Sequence, residues 1–196
     1  MFGLILTIVA LAGVIVAAAI EDRLSPAPQS RPPANSDERS TGGMNDMAAI
    51  GEFDYLTQMV PHNQEGVTAA EQLRRSSTPE VRRLGATIVA TQSADVARMK
   101  VWLAKWYPGR ATEVGYQPMM RDLSHLSGDS LDKTFLKDMI AHHKVAVMLS
   151  QHLLRHGLVR HEEVAAFARE VRDTQHAEIS QMQRLLETGR QKGHPS

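Results

Sequence analysis

The sequence predicts an all-α fold, a four-helix bundle assembled from two copies of one helix pair, preceded by an N-terminal apolar helix. Three observations carry this. Beyond about residue 45, apolar residues recur at three- and four-residue spacing with no strand-like alternation. The chain matches itself: Met59-Val60-Pro61-His62-Asn63 aligns with Met139-Ile140-Ala141-His142-His143 at an offset of 80 residues. The partner element Gln92-x-x-Asp95-x-x-x-Met99-x-x-x-Leu103 aligns with Gln175-x-x-Glu178-x-x-x-Met182-x-x-x-Leu186 at an offset of 83 residues. A lone helical hairpin buries too little surface to be stable, but two together share one core.

The elements follow in order. Phe2 to Ile20 is an uncharged apolar run of nineteen residues, the length needed to cross a hydrocarbon layer of about 30 Å as a helix. Residues 1–20 are therefore a transmembrane anchor or export signal. Ala17-Ala18-Ala19 offers a small-residue cleavage site, but no Lys or Arg precedes the run, so an uncleaved anchor is favoured. Residues 21–43 hold Pro26, Pro28, Pro32 and Pro33 among small polar residues and read as a flexible linker. Residues 44–190 form the bundle, with helices expected near 46–75, 79–106, 130–156 and 161–188, and 191–196 is a tail. Thr78-Pro79-Glu80 is a helix start, Pro108-Gly109 closes the second helix and Gly157 the third.

Composition removes several classes of function. The 22 basic and 22 acidic residues balance, so no global field attracts nucleic acid, and no nucleic-acid partner is expected. The chain has no cysteine, which rules out disulfides, thiolate metal sites and a cysteine nucleophile. Neither a hydrolase triad nor a phosphate loop is recognisable, so no catalysis is expected. A metal ion, the membrane and a second copy of the chain in a homo-oligomer are the admissible partners.

Ten methionines and nine histidines remain to be explained. At about 100° per residue, Met59, His62, Gly66 and Leu73 share a helical stripe, as do Met139, His142, His143, Ala146 and Leu153. Gln92, Asp95, Met99 and Trp102 share another, matched by Gln175, Glu178 and Met182, and Ile88 and Val171 mark these stripes as the buried side. Polar groups at matching places in both halves thus point inward, where each needs a partner. Two readings stay open. In one, His62 and His142 bond Asp95 and Glu178 as core pairs that fix register. In the other, Met139, His142, His143, Met59, His62, Met99 and Met182 ligate a metal, with Asp95, Glu178, Gln92 and Gln175 behind them orienting the imidazoles.

Thioether sulfur suits soft ions and imidazole suits copper and zinc, so the donor set points to copper, Cu(I) first. A di-iron site needs a Glu-x-x-His on each of two helices; only Asp173-x-x-His176 approaches it, once. Met148, His152 and His156 form a separate stripe opposite the inward face, a candidate surface site. Met119, Met120 and His125, in the long connection between the halves, either serve a metal site or cap the bundle.

At the two Met-x-x-His motifs, each followed by its Gln-x-x-Asp/Glu-x-x-x-Met element, the sequence resembles the bacterial family called domain of unknown function 305. Leu126-Ser127-Gly128 and Phe135-Leu136 add to the match, which spans roughly residues 45–188. The resemblance implies a ferritin-like four-helix bundle, usually exported, with some members linked to copper binding and tolerance. An extracytoplasmic copper-binding protein, membrane-anchored or periplasmic, is therefore expected, and an envelope interaction module without metal is the alternative. The family motif carries two adjacent histidines and often a later methionine. The first copy here has Asn63 in place of the second His, with Ala69 and Ala70 where a thioether would follow, and Met148 stands displaced by one place. The fuller site is thus expected at Met139, His142 and His143.

Overall fold

A computed structural model describes the backbone of residues 50–192 and side chains to residue 189. The N-terminal apolar segment, the linker and the end of the tail lie outside the described residues. Among the described residues there is no strand, and no helix is long and apolar enough to cross a membrane. The helices are α1 (Glu52–Glu71), α2 (Pro79–Trp106), α3 (Gly128–Arg155) and α4 (Glu162–Lys192), with a 3-10 turn at Gln72–Arg75 after α1.

Helix α1 starts at Glu52, later than the expected 46, because Gly51 takes extended backbone and donates its N–H to Asp54 Oδ2 at 3.2 Å. The helix continues through Pro61, whose missing N–H removes one internal bond just before His62. Helix α2 opens with Pro79 in its first turn, as expected. Helix α3 ends in a Schellman turn: Leu158 N–H reaches Leu153 O at 3.2 Å and Gly157, at φ 61°, reaches Leu154 O at 3.5 Å.

Burial along the helices gives the topology. On α1, Tyr55, Leu56 and Met59 join one apolar cluster and Ala69, Ala70 and Leu73 another, with His62, Asn63 and Gly66 between. On α3 the order reverses: Leu131, Phe135 and Met139 share the second cluster, His142 and His143 follow, and Leu149 and Leu153 join the first. Helices α1 and α3 therefore run antiparallel, as do α1 and α2, and α3 and α4. The two hairpins are related by a pseudo-two-fold axis across the bundle, and the repeated polar residues meet in one layer between two apolar ends.

The 107–127 connection returns along the bundle from one end to the other. Arg75 pins it by donating to Leu123 O and Leu126 O, both at 2.8 Å. The opposite end is held by Glu52, 1 % exposed. Its carboxylate accepts from Tyr107 Oη at 2.8 Å, from Arg160 N at 2.6 Å, and from His161 N and Nδ1 at 2.8 and 2.6 Å. Burial alone would raise its pKa, but these bonds hold it below the usual carboxylate range. Replacing Glu52 by Gln keeps the shape and loses the charge-assisted bonds, and is expected to destabilise the fold by about 2 kcal/mol. A lower urea midpoint at unchanged m-value reads this; an unchanged midpoint contradicts it.

Candidate metal centre

The central layer is built around His62 and His142, one from each repeat, 2 % and 0 % exposed. Their rings stack with centroids 3.6 Å apart at 26°. His62 Nε2 lies 3.2 Å from His142 O, and His142 Nε2 lies 3.1 Å from His62 O, an exchange that expresses the pseudo-two-fold. His143, also fully buried, sets its Nε2 2.7 Å from Glu178 Oε2. The expected pairing of His62 and His142 with Asp95 and Glu178 is thus corrected. The antiparallel hairpins bring the two histidines onto each other, Glu178 goes to His143, and Asp95 turns outward to Arg98 at 2.8 Å.

These bonds fix the tautomers. A carbonyl oxygen can only accept, so Nε2 of His62 and of His142 carries the hydrogen, and the carboxylate assigns the same proton in His143. Each ring is left with a bare lone pair on Nδ1, and all three Nδ1 atoms are buried without a hydrogen-bond partner. Both amide atoms of Asn63 and Gln92, and Oε1 of Gln175, are buried and unpaired in the same layer. Natural interiors leave few such groups, so a concentration of them in one layer calls for water, an ion or another partner to satisfy them.

The His62 and His142 rings are kept neutral. Burial pushes the His142 pKa down to about 2, helped by His62 and His143, against the backbone bond to His62. Burial likewise pushes His62 down to about 4; Asn63 and Glu65 pull the other way, although neither the Asn63 amide nor His62 Nδ1 makes a well-directed bond. Protons therefore do not compete for these lone pairs near neutral pH.

The four predicted methionines, Met59, Met99, Met139 and Met182, are all fully buried. They divide into two sets. Met59 and Met99 belong to the cluster at one end of the bundle, and Met139 and Met182 to the cluster at the other. Antiparallel α1 and α3 place each motif methionine on its own side of the histidine layer, so the seven predicted ligands do not form one sphere. Among the described residues, no three His, Asp or Glu side chains converge as a metal cage. The potential donors in and beside the layer are imidazole nitrogens, amide and carboxylate oxygens, and thioether sulfurs in the clusters to either side.

Along the seam between α2 and α4 runs a groove of about 430 Å³ lined by Gln92, Asp95, Arg98, Glu170, Gln175 and Glu178 among others. Arg98 spans it, bonding Asp95 at 2.8 Å and Glu170 at 3.1 Å. Gly66 matters because a Cβ there would sit 2.2 Å from Gln92 Oε1 and 3.2 Å from His142 Cε1. A side chain there would displace the Gln92 amide from its place against α1 and crowd the His142 ring.

Sequence reasoning missed Glu65. Its carboxylate accepts from Met119 N at 2.8 Å, Met120 N at 2.9 Å and Tyr116 Oη, and lies 3.4 Å from His142 Nε2. The signal was present: Glu65 stands three residues after His62, on the same face. Of the connection residues singled out above, Met119 and Met120 thus latch the loop over the histidines through their backbones. Met120 also packs on the core, and His125 is exposed beside Asp122.

A four-helix bundle of two antiparallel hairpins with a buried histidine layer between two apolar clusters is the class of protein that the fold defines. The family profile described as Domain of unknown function (DUF305) matches residues 52–186, and the chain belongs to that family. Among solved structures it is similar to CopM in its Cu(I)-bound form, with 26 % identity and TM-score 0.62 over 69 % of this chain and 95 % of that one. The Cu(II)-bound form of CopM gives 27 % identity and TM-score 0.61 over the same shares. A DUF305 fragment from Deinococcus radiodurans also gives 27 % identity and TM-score 0.61, covering 69 % and 95 %. No curated protein sequence matches the chain.

Proposed function

We propose that this protein binds a soft monovalent ion, Cu(I) foremost, in the histidine layer and sequesters or passes it on outside the cytoplasm without catalysis. The observation that carries this reading is the set of three buried imidazoles whose Nε2 is bonded and whose Nδ1 lone pair is bare. His142 and His143, with Glu178 orienting His143, would hold the ion with Met139 and Met182 on their side of the layer; His62 with Met59 and Met99 offers a second, poorer set. A bound copper ion would supply no reaction here, only charge and coordination. Similarity to CopM, whose structures carry copper and silver, supports the choice of metal. The apolar segment at residues 1–20 supports an extracytoplasmic location, anchored or exported.

A second reading has its own support, because every Nε2 in the layer is already bonded within the protein. In it the layer is a register device for an envelope interaction module, and no metal binds.

Titrating tag-free protein with Cu(I) against a competing chelator separates the two. Affinity tighter than micromolar is expected, together with a rise in melting temperature when the ion is present. Weaker binding, or an unmoved melting temperature, contradicts the metal reading and favours the register device.

A further inference from the structure

We propose that His152 and His156 form a second, surface metal site at the C-terminal end of α3, specific for borderline divalent cations such as Ni(II) or Cu(II). It is separate from the histidine layer and does not depend on that layer binding anything.

The two residues stand four apart, one helical turn, so their side chains face the same way. Their ring centroids are 4.5 Å apart and the planes tilt by 40°. Two imidazoles ligating one ion side by side, each nitrogen about 2 Å from the metal, hold their ring centres roughly 4 to 5 Å apart. The rings thus already stand at the separation that a tetragonal ion requires of neighbouring ligands. His156 is exposed, whereas His152 is half-buried and its Nε2 is shielded from solvent without a hydrogen-bond partner. A bare nitrogen beside an open one is a chelate entrance, not a satisfied surface pair.

Position favours a cation further. His156 is the C-cap of α3, and the last carbonyls of a helix concentrate partial negative charge. Met148, one turn earlier and 40 % exposed, adds a thioether on the same stripe. Arg155 is the opposing charge, which keeps the site moderate in strength. The donor set differs from the interior one: one exposed imidazole beside one half-buried imidazole at the surface suits a partly hydrated divalent ion.

The test is calorimetric titration of the tag-free protein with NiCl₂, comparing wild type, His156→Ala and a central His143→Gln variant, whose amide can still donate to Glu178. His156 lies at an exposed helix end, so its removal leaves the core intact. Micromolar Ni(II) binding at one equivalent is expected, weakened at least tenfold in His156→Ala and unchanged in the central variant. Unchanged Ni(II) binding in His156→Ala overturns the proposal, as does loss in the central variant alone. A Cu(II) electron paramagnetic resonance spectrum reads the ligands directly: nitrogen splitting in wild type that is reduced in His156→Ala supports the site, and identical spectra overturn it. Neither result bears on Cu(I) in the interior.

Discussion

Replacing His142 and His143 together by alanine is expected to weaken Cu(I) binding at least a hundredfold, about 3 kcal/mol by the relation between affinity and free energy. Two of the three bare Nδ1 lone pairs disappear, and with them the imidazole that Glu178 orients. Alanines also leave Glu178 without its histidine partner and open a cavity, so the fold will lose stability as well. The control is His143→Gln, whose amide can still donate to Glu178 while the ring lone pair is gone. It should retain most of the stability and still lose much of the affinity. Met139→Leu keeps the core volume and removes only the sulfur, so a fall in Ag(I) affinity there would read the thioether alone. Retention of full affinity in the double variant, measured by chelator competition on folded protein, would place copper elsewhere.

The second large effect is on stability in acid. His62 and His142, with pKa values of about 4 and about 2 against 6.5 in the open chain, stay neutral in the fold while the unfolded chain takes up protons. A depressed histidine pKa means that stability is fully present above pH 6.5 and is lost as pH falls from there toward the folded values. Each ring contributes a slope approaching roughly 1.4 kcal/mol per pH unit. Below pH 4.5 Glu52, whose pKa is lowered, adds its own loss as it too becomes protonated. The melting temperature of the metal-free protein should therefore drop by roughly 10 °C between pH 7 and pH 5. A His62→Gln/His142→Gln variant should lose most of that dependence. A flat profile in wild type would mean that water reaches these rings, and that the layer is not dry.

How much of this was legible beforehand depends on the interaction. The helices, the repeat and the inward-facing stripes follow from periodicity, which records one face of one helix. The predicted start of α2 at Pro79 holds because proline and its neighbours determine it locally. The start of α1 shifted to Glu52 because Gly51 adopts a cap that periodicity does not encode. Which stripe faces which depends on helix direction, and that is where the site reading changed. Spacing gathers each motif's own methionine and histidines within one helical turn, but periodicity does not show that antiparallel α1 and α3 stack His62 on His142 while Met59 and Met139 join opposite clusters. Glu65 escaped notice because its partners, Tyr116 and the backbone of Met119 and Met120, come from a loop with no periodic signal.

The most direct test observes the imidazole nitrogens themselves. Nitrogen-15 NMR of selectively labelled histidine, recorded before and after one equivalent of Ag(I), should show the Nδ1 resonances of His142 and His143 moving to metal-bound positions while their Nε2 resonances remain those of N–H groups. Movement confined to exposed histidines, or no movement at all, would contradict the account.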